Sequence, residues 1–294
     1  MIEFLAEPWQ LEVMRWAFLV TSVAGVACAL LSCWLVLIGW SLMGDAVSHA
    51  VVPGVVLAYV VGAPFAVGAF LFGCLAVWLI GTVRATSRVK GDAAIGVVFT
   101  TLFALGLVLV SVTPSEVDLH HILFGNVLGL SDADIIQVVV LGTITVAVLL
   151  LRHRDLTLYA FDADHAYAIG ISPRRIQILL LGVLALTVVV ALQAVGVILV
   201  VAMVITPGAT AYLLTDRMER MLVIAPALAV TSAFVGLYTA YYADVSPGGA
   251  VVLTQGVLFF VVYLFGPRRG VVVAPLRRRI RTARAGRTAQ PTRD

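Results

Sequence analysis

Asp45 and His49 stand four residues apart in SLMGDAVSHAVVPGVVLAY (41–59), a stretch that otherwise carries no charge. On a helix this spacing places both side chains on one face. A carboxylate beside an imidazole suits a divalent first-row metal such as Mn²⁺, Zn²⁺ or Fe²⁺. The chain has 16 acidic residues and 5 histidines, and nearly all the others fall in loops or at the ends of apolar runs. An ionisable residue held in hydrocarbon is costly and points to function by default. Pro53 has no N–H to offer the carbonyl of His49, so that oxygen is expected to be free within the helix. Two other readings fit the same spacing: a proton relay, and an Asp–His hydrogen bond that only fixes a helix junction, with Asp45 capping a helix after Gly44.

Two loops hold the remaining candidates. Glu116, Asp118, His120 and His121 fall between apolar runs; they read as a polar rim at an outer mouth, where they could also attract a cation. FDADHAYAIGISPRR (161–175) reads as a short helix capped by Asp162 and closed at Gly170, with Pro173 opening the next element. Such a helix serves either as a docking contact or as an ordinary loop helix on the membrane surface. No GxxxxGK[ST] loop occurs, so ATP used in any transport cycle would be bound by another polypeptide by that route. His49 lacks the second His and neighbouring Glu of an HExxH metalloprotease. Cys28, Cys33 and Cys74 lie in apolar runs without CxxC spacing and read as packing residues.

The elements that must position these residues are membrane helices. The 294 residues are 62% hydrophobic and 12% charged, with a mean hydropathy of +1.08, against about 25% charged in a soluble domain. Apolar runs recur at about the length that crosses 30 Å of hydrocarbon as a helix, and they do not alternate as barrel strands would. The fold class is therefore an all-α polytopic transmembrane bundle. Spans are expected near 13–38, 46–63, 65–83, 93–112, 133–151, 175–195, 197–214, 221–241 and 249–266. The count becomes eight if the Gly- and Pro-bearing 39–55 region is broken or re-entrant. Arg84, Arg88 and Lys90, then Arg152, Arg154, Arg174 and Arg175, then Arg217 and Arg220 mark cytoplasmic loops, which leaves the N-terminus outside. The first apolar run is too long for a cleavable signal peptide, and none is expected. Gly54, Ala58 and Gly62 would let a neighbouring helix approach closely. Residues 1–267 form the membrane domain. Residues 268–294 form a tail with 9 of the 19 basic residues, expected to be cytoplasmic and partly disordered, touching anionic lipid rather than nucleic acid.

Four segments, SLMGDAVSHAVVPGVVLAY, HHILFGNVLGLS (120–131), FDADHAYAIGIS (161–172) and ALQAVGVILVVAMVITPGATAYLL (191–214), resemble the permeases of manganese/zinc/iron ABC importers. The likeness covers nearly all of the chain except its tail, which departs from the compact family pattern. It implies a homodimeric permease with a cobalamin-importer-like helical fold in a bacterial plasma membrane. Its partners would be two cytoplasmic ATPase subunits, which hydrolyse the ATP, and an extracytoplasmic metal-binding lipoprotein. Asp45 and His49 would line the ion's path, and the segment holding Asp162, Asp164, His165, Ala168, Gly170, Ile171 and Ser172 would be the coupling helix. No cofactor would be bound permanently; the metal is cargo. A donor pair without Cys, together with the FGNVLGLS stretch, favours manganese over zinc and iron. The rival function is a proton-coupled secondary carrier, which would normally bring a second related half that this chain lacks.

Overall fold

The computed structural model describes residues 7–113, 129–266 and 271, which contain helices and no strand. In chain order the elements are α1 (Glu12–Ile38), α2 (Ser41–Ala50), α3 (Val52–Val61), α4 (Phe65–Thr86), α5 (Gly91–Val112), α6 (Asp132–Leu151), α7 (His153–Phe161), α8 (Ala163–Ala168), α9 (Pro173–Leu214), α10 (Met218–Ala243) and α11 (Pro247–Phe265). Among the described residues eight stretches are long and apolar enough to cross a membrane, counting α2–α3 as one; Leu199–Leu214 is a shorter apolar helix. The described residues stop short of nearly all of the basic tail expected at 268–294.

Local signals set the element ends. Gly39, at φ 78°, closes α1 in the left-handed region that a side chain disfavours. Ser131 and Asp134 form a reciprocal capping box at the start of α6. Burial then separates two layers. The central windows of α1, α2–α3 and the first part of α9 are each 67% buried, against 22–28% for α4, α5, α6 and α11. The first three make the inner layer, while the others turn much of their apolar surface outward.

A straight helix of 42 residues would run about 63 Å, twice a bilayer's hydrocarbon thickness of about 30 Å. Gly196, at φ 77° and ψ 166°, is where α9 folds back, in a backbone region open essentially only to glycine. A methyl added at Gly142 would meet Val23 and Val190, and one at Gly25 would lie 3.8 Å from Met203. Residues 190 and 203 therefore sit at one level of α1, on either side of Gly196. Beyond the bend the chain runs parallel to α1, reaching Ser32 at Ile205 and Gly208. The expected pair 175–195 and 197–214 is thus two antiparallel arms joined by one residue rather than by a loop.

Pro207 removes an N–H from the second arm, and Ser32 of α1 serves that turn. The Gly208 N–H donates to Ser32 Oγ at 3.1 Å, and the same hydroxyl donates to the Ile205 carbonyl at 3.1 Å. The contact requires a glycine, because a methyl at 208 would lie 2.7 Å from the main chain of Ser32. Close approach also joins α3 to α4. A methyl on Gly54 or on Gly68 would strike the carbonyl oxygen of the other, and Ala58 lies beside Gly68. Gly62 differs from the expectation: it is the left-handed cap of α3 at φ 73°, and a methyl there would meet nothing within 4 Å.

Gly208→Ala should lower stability by about 1–3 kcal/mol, as overpacked cores do. Gly256→Ala, where a methyl meets nothing within 4 Å, should be neutral or slightly stabilising because alanine is the better helix former. Thermal unfolding of the purified protein in detergent reads both; equal melting of the two variants would show that the α1–α9 contact is not close-packed.

Candidate functional site

Asp45 lies in the second turn of α2 and His49 in its last turn. The helix begins at Ser41, so Asp45 is an interior residue and not a cap. His49 Nδ1 lies 3.3 Å from Asp45 Oδ1 and 3.1 Å from the Asp45 carbonyl oxygen. With Nδ1 engaged in this way, Nε2 is the nitrogen left to serve as a ligand. Both side chains are only partly covered, 33% and 24% exposed, so the pair can be reached from outside the protomer.

Neighbouring helices press closely around the pair. A methyl at Gly44 would lie 2.5 Å from Val204, so glycine there is what lets α2 meet the second arm of α9. Gly106 of α5 packs on Val52 and Pro53, where an added methyl would fall 2.9 and 3.2 Å away. That approach brings Phe99 and Phe103 across His49. Each ring is centred 5.3 Å from the imidazole, at 70° and 84° to it, so both present edge-to-face contacts. The imidazole is thereby fixed on one side by a carboxylate and on another by two aromatic rings.

The helix break falls at Val51, between α2 and α3, with Pro53 in the first turn of α3. The Val51 N–H donates to the Val47 carbonyl at 3.2 Å. The His49 oxygen sits at this junction, where Pro53 has no N–H to offer it. Among the described residues no cluster of three or more His, Cys, Asp or Glu side chains could hold a metal. Asp45 and His49 together offer two side-chain donors, a weak set for a divalent ion. Cavities of about 670 Å³ by Trp9 and Phe234 and about 700 Å³ between α4 and α9 open elsewhere, so the pair is marked by charge and not by volume.

Glu116, Asp118, His120 and His121 lie outside the described residues. In the 161–172 segment, Asp162 Oδ1 accepts the His165 N–H at 2.8 Å and caps α8; Gly170, at φ 90°, ends the turn that follows. Asp164, His165, Ala168 and Gly170 are exposed, while Ile171 and Ser172 are partly covered. The segment follows α7, a helix where a loop is expected from the sequence. Leu156 is buried, and Trp34 Nε1 donates to Thr157 Oγ1 at 3.2 Å, tying α7 to α1. Phe161, Tyr167 and Ile169 project 56–73% exposed around α8. Neither these three nor Phe99 and Phe103 had been singled out; the i, i+4 spacing of the two phenylalanines was the available signal.

Known proteins are similar to this chain in sequence and fold. The ABC 3 transport family matches residues 10–266. The manganese transport system membrane protein MntB of Synechocystis sp. is 51% identical over 94% of this chain and 90% of its own length. The chelated iron transport system membrane protein YfeC of Yersinia pestis is 46% identical over 96% of each chain. Among solved structures, PsaBC from Streptococcus pneumoniae in complex with Fab superposes with a TM-score of 0.84 at 36% identity, covering 92% of this chain and 98% of that one. By match length and by identity alike, this chain is a member of the ABC 3 transport family.

Proposed function

We propose that this chain is the membrane-spanning permease subunit of an ABC importer for a divalent transition metal, with manganese as its physiological cargo. The observation that carries the reading is the Asp45–His49 pair: a carboxylate and an imidazole half-buried on one face of a membrane helix, braced by Phe99 and Phe103. Relatives named for manganese and for chelated iron transport support a transition-metal cargo, with iron as the alternative to manganese. Oxygen and nitrogen donors without sulfur favour the harder end of the series. The same pair would bind zinc more tightly than manganese, so selection would fall to the protein that delivers the ion.

The mechanism is alternating access. An extracytoplasmic binding lipoprotein hands the ion to the outer mouth, and two copies of the permease each contribute one Asp–His pair to the path. Two pairs supply four donors, enough to replace part of the ion's hydration while still letting it go. ATP is bound and hydrolysed by cytoplasmic subunits that grip α8. Tyr167 of α8, with Phe161 and Ile169 flanking that helix, is exposed beside Asp162 and Asp164; the group suits insertion into a groove with an apolar floor and a basic rim.

Asp45→Asn and His49→Ala should each cut manganese uptake by at least about tenfold, the usual cost of losing a ligand's partner. The measurement is cellular manganese, zinc and iron at matched membrane abundance, with the ATPase partner co-expressed. Loss of one metal in both variants identifies the cargo; undiminished uptake would make the pair structural. Ala168→Asp in α8 should leave permease abundance unchanged and abolish co-purification of the ATPase subunit. Retention of that subunit would assign the docking contact elsewhere.

A further inference from the structure

The groove of about 700 Å³ between α4 and α9 takes no part in the proposed metal path. Its walls are one face of each helix. Thr86 and Arg174 line one end, and the lining turns apolar toward Trp78. A methyl at Gly81 or at Gly182 would find nothing within 4 Å, so the two glycines keep the groove open. From Cys74 to Thr86 it extends about 18 Å along α4, slightly more than one leaflet's share of a hydrocarbon layer about 30 Å thick.

The lining is electrostatically one-sided. Arg174 is its only charged residue; it is exposed and forms no ion pair among the described residues. Gln177, one turn further in, adds an amide donor. The Thr82 and Thr86 hydroxyls donate to their own helix, to Trp78 and Thr82 carbonyls at 2.8 Å each, so they compete little for an anion. The loops holding Arg84, Arg88 and Lys90 and Arg152, Arg154 and Arg175 place this end on the cytoplasmic side by the positive-inside rule. That leaflet carries the anionic lipids.

We propose that this groove is a binding site for one anionic phospholipid of the cytoplasmic leaflet. Its phosphate pairs with the Arg174 guanidinium and accepts from Gln177, while an acyl chain lies along Gly81 and Gly182 beside Trp78. The Arg174 cation at the mouth and the apolar lining beyond it match a phosphate carrying an acyl chain, whereas an apolar helix of a second copy would leave that cation without a partner. The site is independent of the metal reading and would stand if that reading failed.

The test uses the purified full chain in detergent, with thermal unfolding read as dioleoylphosphatidylglycerol, dioleoylphosphatidylcholine or inorganic phosphate is added. Phosphatidylglycerol should stabilise the wild type and Arg175→Gln alike, and its apparent affinity should fall about fivefold in Arg174→Gln, the effect of one cation near an anionic surface. Gly182→Leu, which fills the groove without touching the cation, should lose the response while melting at the wild-type temperature without lipid. Equal stabilisation by phosphatidylcholine, an equal loss in Arg175→Gln, or a full response to inorganic phosphate would each overturn the proposal. So would a disulfide between two copies through Ile178→Cys, because a second protein chain would then occupy the groove.

Discussion

Hydrocarbon offers no hydrogen bonds, and the polar atoms of this fold are arranged around that constraint. The backbone meets it by being helical. Hydroxyl side chains inside the spans meet it locally: Ser48, Thr187, Thr210 and Ser232 each donate to the carbonyl four residues back. At one proline-bearing turn another element adds hydrogen bonds to the helix. Ser32 does so for the turn at Pro207, and its hydroxyl both donates and accepts because Gly208 lets α1 come within contact of the second arm of α9. Buried atoms of Thr21, Ser22, Thr145 and Gln255 have no such partner among the described residues, which marks them as exceptions to the rule.

The same constraint gives the Asp45–His49 pair its meaning. A carboxylate in this setting is stable only with a partner close by, and the imidazole at 3.3 Å is that partner. The structure does not bury the pair completely, however. Full burial would favour a neutral, purely structural hydrogen bond, whereas a pair a quarter to a third exposed keeps ligand atoms accessible. Phe99 and Phe103 restrict the imidazole without competing for its nitrogens. A route for a cation needs this balance, since a deep, saturated site would trap the ion.

Small residues determine which helices meet. Gly44, Gly54, Gly68, Gly106 and Gly208 all stand where a methyl would collide with a neighbour. In a bilayer, helices gain little from hiding apolar surface from one another, so van der Waals fit at such points decides their contacts. Gly44 and Gly106 belong to this set and also flank the candidate site. Packing and function therefore meet at the same positions: the second arm of α9 and α5 close on α2 because glycines permit it, and His49 is braced as a result.

The helical class, most of the span positions and the placing of Asp45 and His49 on one helix face were legible in the amino-acid sequence, because hydrophobic length and charge are local properties; the stretch 197–214, expected as a full span, is a shorter helix. The Asp162 cap and the Gly170 stop were legible for the same reason, since capping is a matter of neighbours in sequence. The fold-back of α9 was readable as two spans but not as a bend at a single residue, because Gly196 carries no further mark of its backbone angles. The close approach of the second arm of α9 to α2 and the ring contacts of Phe99 and Phe103 were decided by tertiary structure. Each depends on how near another helix can come, and that distance is set by residues far away in the chain.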